Sequence, residues 1–371
     1  MRFLPNIMIL NKGFHIMVSK TINEMLTVKK GVINGEVTLI SSGPLKLGVT
    51  YGSKSGSIPF QVPLPSNAKI KELTLEIAVT HSSEPHNVKW RVWFNGFPLT
   101  REFKPQITVE AKDKFFSKVL FDVTPVLQAK GFREELILAI KYDGNENLIV
   151  DHANLIVTYE ASEAKSSYIY CSGAILVPPQ TSVKYPFEIS ELIKGFGELR
   201  GVMIVSSKLS ETKIFLNGKN VYNAVNITGA EEFYIENIDL KPKNILEIQH
   251  ETSNTQVRDY VNLSTILATI TYMLKPKLDI INAKLESQGE KEKVVATIKN
   301  NGASKPDKAW LLVIDTGVVV SRQRLPELAP GEEIQIEIPC KKQMLTKHGL
   351  MFIRVVWTKL SRTFTSEMRL R

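Results

Sequence analysis

The chain has 371 residues, of which 43% are hydrophobic and 23% are charged, and its formal net charge is +9. A chain of this length holds two to four domains, and its hydrophobic content is that of ordinary globular cores. β-Branched and aromatic residues recur at alternate positions without long stretches of helical period, which predicts an all-β protein. No apolar run approaches the roughly 18–20 residues that a membrane-spanning helix needs, so we expect no membrane span.

The beginning of the chain is predicted to be an arm, irregular or extended over residues 1–35, that leads into a first strand ending near residue 47. Its first residues are weakly similar to a signal sequence. However, Pro5 and Asn6 interrupt the apolar run and no small-residue cleavage site follows. We therefore expect no export signal, and the sequence leaves open whether translation begins at Met1 or at Met17.

The middle of the chain reads as one β-module written twice. In each copy a strand opening with Glu-Leu, at residues 72–79 or 198–205, precedes a second strand that ends in Asn-Gly. The Asn-Gly pairs favour type I′ hairpin turns, because both central residues must accept a positive φ. Each copy continues with an Asp-containing turn, an apolar strand and a closing strand that carries a tyrosine. Because the apolar residues alternate, we interpret each copy as an antiparallel β-sandwich with one buried face per strand.

The last part of the chain reads as a smaller sandwich. Short strands at residues 294–298, 309–314 and 334–338 are separated by turn residues, which fits an immunoglobulin-like domain. The predicted fold is therefore all-β, with serial antiparallel sandwiches. Its predicted domains are an N-terminal arm and first strand (1–47), a first jelly-roll repeat (48–160), a second jelly-roll repeat (161–274) and an immunoglobulin-like domain (275–371).

Short runs carry a resemblance to known families. The repeats resemble galactose-binding-like jelly-roll modules of archaeal surface proteins in Trp-Phe-Asn-Gly (93–96), Phe-Asp-Val-Thr (121–124) and the closing strand at 153–160. The last domain resembles the CARDB family of adhesion modules in Ala-Thr-Ile-Lys-Asn-Asn-Gly (296–302) and Leu-Ala-Pro-Gly-Glu-Glu (328–333). These likenesses imply binding, adhesive or scaffold modules without a shared active site. Stacks of such domains also build the turrets of icosahedral archaeal viruses, which is a similarity of architecture alone.

One pair of residues recurs on the outward side of both repeats. The strand that leads into Asn-Gly carries Arg91 and Trp93 in the first copy, and Lys213 and Phe215 at the matching positions of the second. An exposed aromatic ring beside a cation can stack on a sugar or anchor a protein partner. The same face could instead pack on an adjoining domain or lie under a loop.

The positive charge is concentrated at the end of the chain. Residues 340–371 contain eight lysines and arginines and one acidic residue, Glu367. We predict a basic interaction face for an acidic partner, although basic residues also guard edge strands against aggregation. Its members are Lys341, Lys342, Lys347, Arg354, Lys359, Arg362 and Arg369.

The sequence offers no pattern that indicates catalysis or a cofactor. His81 and His86 flank a loop without metal-ligand spacing, and the polar loop that begins at Asp143 lacks the bidentate glutamate of a calcium loop. Cys171 and Cys340 fall in different predicted domains, so we expect free thiols. We predict no catalytic residue, no metal and no cofactor.

These observations predict a non-enzymatic structural or interaction protein: a multi-domain spike or turret-like component of a virion or a cell surface. The alternative is a carbohydrate-binding or adhesion protein that uses the faces around Trp93 and Phe215. We expect copies of the chain itself and other structural subunits as partners, together with a surface glycan or an acidic partner, and we do not expect nucleic acid. The expected location is a virion assembled in the host cytoplasm, or else the cell surface. The Lys-, Glu- and Ile-rich composition fits a thermophilic, archaeal source.

Overall fold

The computed structural model describes residues 24–63, 69–111, 113–131, 133–252, 260–288, 291–341 and 351–370. These residues form two compact units, the first comprising Met1–Val62 and Ile70–Tyr272 and the second Pro63–Lys69 and Met273–Arg371. Nearly all regular structure is antiparallel strand, which confirms the predicted all-β class of jelly-roll repeats followed by an immunoglobulin-like domain.

The first unit holds strands β1 to β19. In chain order they are β1 (Glu24–Ile33), β2 (Gly35–Ser42), β3 (Leu45–Leu47), β4 (Ser55–Gln61), β5 (Lys69–His81), β6 (Trp90–Phe94), β7 (Phe97–Thr100), β8 (Ile107–Ala111), β9 (Lys114–Asp122), β10 (Glu135–Tyr142), β11 (Leu148–Glu160), β12 (Ala164–Val177), β13 (Thr181–Glu188), β14 (Phe196–Val205), β15 (Ser210–Leu216), β16 (Lys219–Val225), β17 (Gly229–Ile238), β18 (Lys243–Thr252) and β19 (Val261–Met273). One short α-helix, α1 (Thr124–Lys130), follows β9. Among the described residues no helix is long and apolar enough to cross a membrane.

The duplication read from the sequence is visible in the strand order. The first repeat, β2 to β11, has an inner sheet β2-β11-β5-β9-β8 and an outer sheet β4-β10-β6-β7. The second repeat, β12 to β19, has an inner sheet β12-β19-β14-β17, extended by β1, and an outer sheet β13-β18-β15-β16. Strands at equivalent positions therefore occur in the same order in both copies, which shows two sandwiches of one topology.

The two Asn-Gly turns have the backbone that the sequence predicts. Asn95 and Gly96 have φ values of 50° and 74°, and Asn217 and Gly218 have values of 52° and 83°. Positive φ at both central positions is the mark of a type I′ turn, whose twist matches that of the strands it joins.

The beginning of the described chain, within the predicted irregular or extended arm, is a strand that belongs to the second repeat's sheet. From Glu24 onward it is strand β1, which pairs with β12 of the second repeat, whereas β2 pairs with β11 of the first. The change of sheet occurs at Gly35, where a Cβ atom would lie 1.7 Å from the carbonyl oxygen of Tyr159. The sequence alone could not show this pairing, because it depends on how the two repeats are stacked.

The inner sheets of the two repeats pack face to face. Val37 and Ile156 of the first repeat share one apolar cluster with Tyr170, Val202 and Leu267 of the second. The first unit is thus a stack of four sheets in which each inner sheet is covered on both sides, except along edge strand β17, where Glu232, Tyr234 and Glu236 remain exposed. This explains why β5, β11 and β19 are buried over most of their length.

The second unit is a two-sheet sandwich. Its strands are β20 (Leu278–Gln288), β21 (Lys291–Asn300), β22 (Lys308–Asp315), β23 (Val318–Arg324), β24 (Glu333–Lys341), β25 (Met351–Lys359) and β26 (Arg362–Arg369). One sheet has the order β20-β21-β24 and the other β23-β22-β25-β26. Leu311, Val313, Ile353 and Val355 are buried in the core between them.

Candidate functional site

A charged pair lies buried where the two inner sheets of the first unit meet. The amine of Lys118 on β9 donates to Oε1 of Glu76 on β5 at 2.8 Å. Their side chains retain 4% and 0% of their exposure. Charges taken out of water are costly unless they are paired and fully hydrogen-bonded, so the surroundings of this pair determine whether the joint is stable.

The second repeat supplies much of the required bonding. The hydroxyl of Tyr170 on β12 donates to Oε2 of Glu76 at 2.7 Å. The hydroxyl of Thr265 on β19 donates to Oε1 of Glu76 at 2.5 Å and accepts from Lys118 at 3.2 Å. Asn154 on β11 donates to the same Oε1 at 2.8 Å. We call these five residues the interface cluster, and it ties both repeats to one carboxylate.

The interface cluster fixes the protonation of its members. Burial opposes ionisation of Glu76. The attraction of Lys118 and the hydrogen bonds together outweigh this effect, and they lower the pKa of Glu76 to about 2. Burial lowers the pKa of Lys118, an effect that Glu76 opposes. Burial and the neighbouring carboxylate both raise the pKa of Tyr170. The phenol therefore stays a hydrogen-bond donor.

Two further titratable groups lie beside the interface cluster on β11. Burial, with the charge of Lys118, lowers the pKa of His152 to about 3, so its ring is neutral and contacts the Ser264 hydroxyl at 2.7 Å. Burial raises the pKa of Asp151 to about 6, although its carboxylate accepts a hydrogen bond of 2.6 Å from Thr80.

Strongly shifted pKa values often mark catalytic groups, but they also occur in structural networks. Here the shifted groups are sandwiched between two sheets, where Glu76, Lys118 and His152 are almost completely removed from solvent. A group in this position can bind and orient other side chains across the interface. The arrangement therefore performs a structural task, which is to join one repeat to the other in a fixed register.

The predicted cation–aromatic pairs lie on the outer sheets. Trp93 on β6 and Phe215 on β15 are half-buried. The guanidinium of Arg91 lies 3.2 Å from Asp143, and the amine of Lys213 lies 2.6 Å from Glu251. Because the inner sheets occupy the middle of the stack, the two pairs lie on opposite outer faces and do not form one site.

Two open depressions lie next to the Asn217-Gly218 turn of the second repeat. Their volumes are about 480 and 550 Å³. The first is lined by apolar residues such as Val221 and Ile235 together with amides and charged groups such as Asn220 and Glu236, and neither Trp93 nor Phe215 borders either depression. The predicted aromatic residues and the concave surfaces of this repeat are therefore separate features.

The predicted basic face of the second unit is divided between two sides of its sheet. Arg354 and Arg369 are on the outward side, whereas Lys359 is buried, with its amine donating to the Lys305 carbonyl at 2.9 Å and lying 3.8 Å from Asp307. Including Lys359 in the predicted basic face was wrong. Lys359 is two residues after the inward-facing Trp357, and residues two apart on a strand lie on the same side of the sheet. Arg362 pairs with Lys359 across β25 and β26 and shares its side. Lys342 and Lys347 lie outside the described residues, as does the side chain of Lys341.

His81 and the two cysteines occupy buried positions in which they pack within the fold. His81 is buried and contacts the Ser117 hydroxyl at 2.8 Å and the Ser83 carbonyl at 2.7 Å. Cys171 and Cys340 are buried free thiols, and burial raises the pKa of each. Within the described part of the chain no group of three His, Cys, Asp or Glu side chains is placed to hold a metal ion.

Comparisons with known proteins give only distant structural likenesses. No protein-family model matches the chain, and no curated protein matches it in sequence. Among solved structures, a glycosyl hydrolase family 2 member from Bacteroides cellulosilyticus is 11% identical with a TM-score of 0.23, over 54% of this chain and 28% of that one. A β-glucuronidase from Ruminococcus gnavus is 10% identical with a TM-score of 0.20, over 55% of this chain and 36% of that one. The chain thus spans well under half of either protein.

Proposed function

We propose that this protein is a non-enzymatic structural component that assembles with copies of itself into a spike or turret-like projection on a virion, or alternatively on a cell surface. The observation that supports the proposal is the interface cluster. Its perturbed charges join the repeats and are closed to any substrate, so the chemistry that could have served catalysis serves rigidity instead.

The arrangement of the repeats fits a load-bearing part. The four-sheet stack is joined by an apolar cluster, by the interface cluster and by strand β1. A projection requires repeats that keep a fixed orientation, whereas tethered binding modules are commonly joined by flexible linkers. The proposal includes two resemblances seen in the sequence. The last domain resembles the CARDB family, and the order of domains resembles that of archaeal virus turrets.

The test is the mass of the purified full-length chain in solution. Light scattering at several protein and salt concentrations, with negative-stain images of the same samples, should give a discrete ring or larger assembly. A mass equal to that of a single chain at every concentration would overturn the self-assembling projection.

A second candidate function is glycan binding by the outer faces. It is favoured by one observation: the cation and the half-buried aromatic ring recur at equivalent positions of β6 and β15. A glycan array should then show a signal that Trp93→Ala and Phe215→Ala each reduce about tenfold or more, a loss expected for a central aromatic contact. The control is Phe97→Ala on the neighbouring strand β7, which should bind as the unaltered protein does.

A further inference from the structure

The two sheets of the second unit balance their charges differently. On β20-β21-β24 the lysines lie beside carboxylates, as Lys293 does at 3.0 Å from Glu337. The outward side of β23-β22-β25-β26 carries four arginines instead. Of these four, Arg354 alone has a carboxylate partner among the described residues, Glu367 at 2.7 Å. This side therefore retains an excess of positive charge.

We call this side of the sheet the arginine face. It consists of Arg322, Arg324, Arg354 and Arg369 around a half-buried centre of Trp310 and Leu312. Leu312 lies between Arg322 and Arg354 in one cross-strand row, and the Arg322 guanidinium is 5.0 Å from the Trp310 ring centre. Protein interfaces have an apolar, aromatic centre and are enriched in arginine but not lysine. The arginine face therefore fits an acidic protein surface.

The first unit presents such an acidic surface along edge strand β17. This strand carries Glu232 and Glu236 on one side and no cation of its own, and we call these two residues the glutamate rim. Glu231 lies on the opposite side, where it accepts a hydrogen bond of 2.6 Å from Tyr222. Tyr234, in the same strand, is 43% exposed and carries the Arg200 guanidinium 4.2 Å from its ring centre. Burial raises the pKa of Glu232. The charge of Glu231 raises this pKa further, whereas the charge of Arg200 opposes the rise. A further guanidinium would relieve this crowding of carboxylates.

We infer that the arginine face of one copy docks on the glutamate rim of a second copy. The inference rests on the proposed self-assembly and names the surfaces that make the contact. Arg322 and Arg324 project from one side of β23, and Glu232 and Glu236 flank Tyr234 on one side of β17. A strand rises about 7 Å for every two residues, so Arg322 and Arg324 lie about 7 Å apart, whereas Glu232 and Glu236 lie about 14 Å apart on either side of Tyr234. Long, flexible arginine side chains can span this difference, so guanidinium groups can still face carboxylates along the contact.

The contact joins different surfaces on the two copies, so it can propagate. A head-to-tail contact of this kind closes into a ring if its rotation permits and otherwise forms an open filament. Because it is built on charge, its strength falls as salt is added. Salts that are excluded from protein surfaces, such as sulfate, would instead strengthen an apolar contact, so the effect of salt distinguishes the two kinds of contact.

Charge reversal in the full-length protein tests the contact. Arg322→Glu with Arg324→Glu, and separately Glu232→Arg with Glu236→Arg, should each weaken assembly about 100-fold in the concentration required. A chain with all four substitutions has opposite charges on both surfaces and should assemble again. Lys219→Glu with Lys243→Glu, on the outer sheet of the second repeat, is the control with the same change in net charge as the arginine variant.

The outcomes separate this inference from the proposed function. If the unaltered chain assembles and the arginine and glutamate variants assemble equally well, the contact is overturned while self-assembly stands. If the single-surface variants fail and the four-substitution chain also fails although it is folded by circular dichroism, the two surfaces do not meet and the inference is again overturned. If the unaltered chain never assembles, the proposed self-assembly is overturned together with the contact.

Discussion

The hydroxyl of Tyr170 donates a 2.7 Å hydrogen bond to the carboxylate of Glu76 across the interface between two copies of one fold. Tyr170 belongs to the second repeat and Glu76 to the first, and Lys118 completes the charge balance from the first. A single carboxylate is thus shared by both sandwiches. Small lateral shifts between the inner sheets would break several bonds to a buried charge at once, so the interface cluster restricts the repeats to one register.

Replacing Glu76 should destabilise the fold strongly. Glu76→Gln removes the charge that is hydrogen-bonded to the buried amine of Lys118, and breaking a buried pair by removing one partner costs about 3–5 kcal/mol. We expect this loss in the free energy of unfolding from urea titrations at neutral pH. A loss below about 1 kcal/mol would contradict the role given to the interface cluster.

The same strand provides the matched control. Glu72 also pairs with a lysine, Lys29 at 3.0 Å, but its side chain is 42% exposed. Glu72→Gln should therefore change stability by less than about 1 kcal/mol. Replacing the buried pair together, as Glu76→Leu with Lys118→Met, should recover part of the loss because neither member of the pair is left without the other.

The sequence predicted strand β5 itself better than it predicted what packs against it. The alternation of Leu73, Leu75 and Ile77 identified one buried face correctly. The opposite face, with Glu76, was expected to meet solvent, as it does in an isolated sandwich. It is buried because the inner sheet of the second repeat covers it. The stacking of one repeat on another leaves no periodic pattern in the sequence from which it could be predicted. The one available hint was the paucity of charge on that face, where Thr74 and Ala78 flank Glu76.

The C-terminal basic residues show the same limit on a smaller scale. Net charge located them on the last strands, and Arg354 and Arg369 do lie outward. Lys359 could not be separated from them by composition, because its inward orientation follows from the phase of β25 and from the acceptors supplied by Lys305 and Asp307. The phase was readable from Trp357, but the acceptors come from a distant loop.

Gly35 should be intolerant of a side chain. Its φ is +150°, and an added Cβ would overlap the Tyr159 carbonyl oxygen at 1.7 Å, so Gly35→Ala must displace either β2 or β11. We expect the free energy of unfolding to fall by about 2 kcal/mol or more. Gly31→Ala is the control, since Gly31 has a φ of +159° but no atom within 4 Å of its added Cβ. Equal losses in thermal unfolding would show that backbone conformation and not the close approach matters.

Acidification should separate the contributions of His152 and Asp151. The folded pKa of His152 is lowered from 6.5 to about 3, so the unfolded chain takes up a proton that the folded chain refuses, and stability falls as the pH drops through 6.5. The folded pKa of Asp151 is raised from 3.8 to about 6, so its contribution has the opposite sign between these values.

His152→Gln removes the first contribution and leaves the second. The variant should be less stable than the unaltered protein at pH 7, because the contact with Ser264 is altered, and this difference in melting temperature should shrink steadily from pH 6.5 to 4.5. A difference that stays constant over this range would contradict the buried neutral ring.

Asn300 should hold together three loops of the second unit. Its amide nitrogen donates to the carbonyls of Ser304 and Leu328, both at 2.9 Å, and its oxygen accepts from the backbone of Gly302 at 2.9 Å. The side chain is fully buried, so Asn300→Ala leaves several backbone groups without partners, at a cost of about 1–3 kcal/mol for each buried group left unsatisfied. The side chain of the adjacent Asn301 is exposed and bonds only to Asp279 among the described residues, which makes Asn301→Ala the control. In hydrogen–deuterium exchange, Asn300→Ala should lower the protection factors of peptides covering Lys308–Asp315 at least tenfold, whereas Asn301→Ala should leave them unchanged. Equal exchange in the two variants would show that the bonds of Asn300 do not stabilise this sandwich.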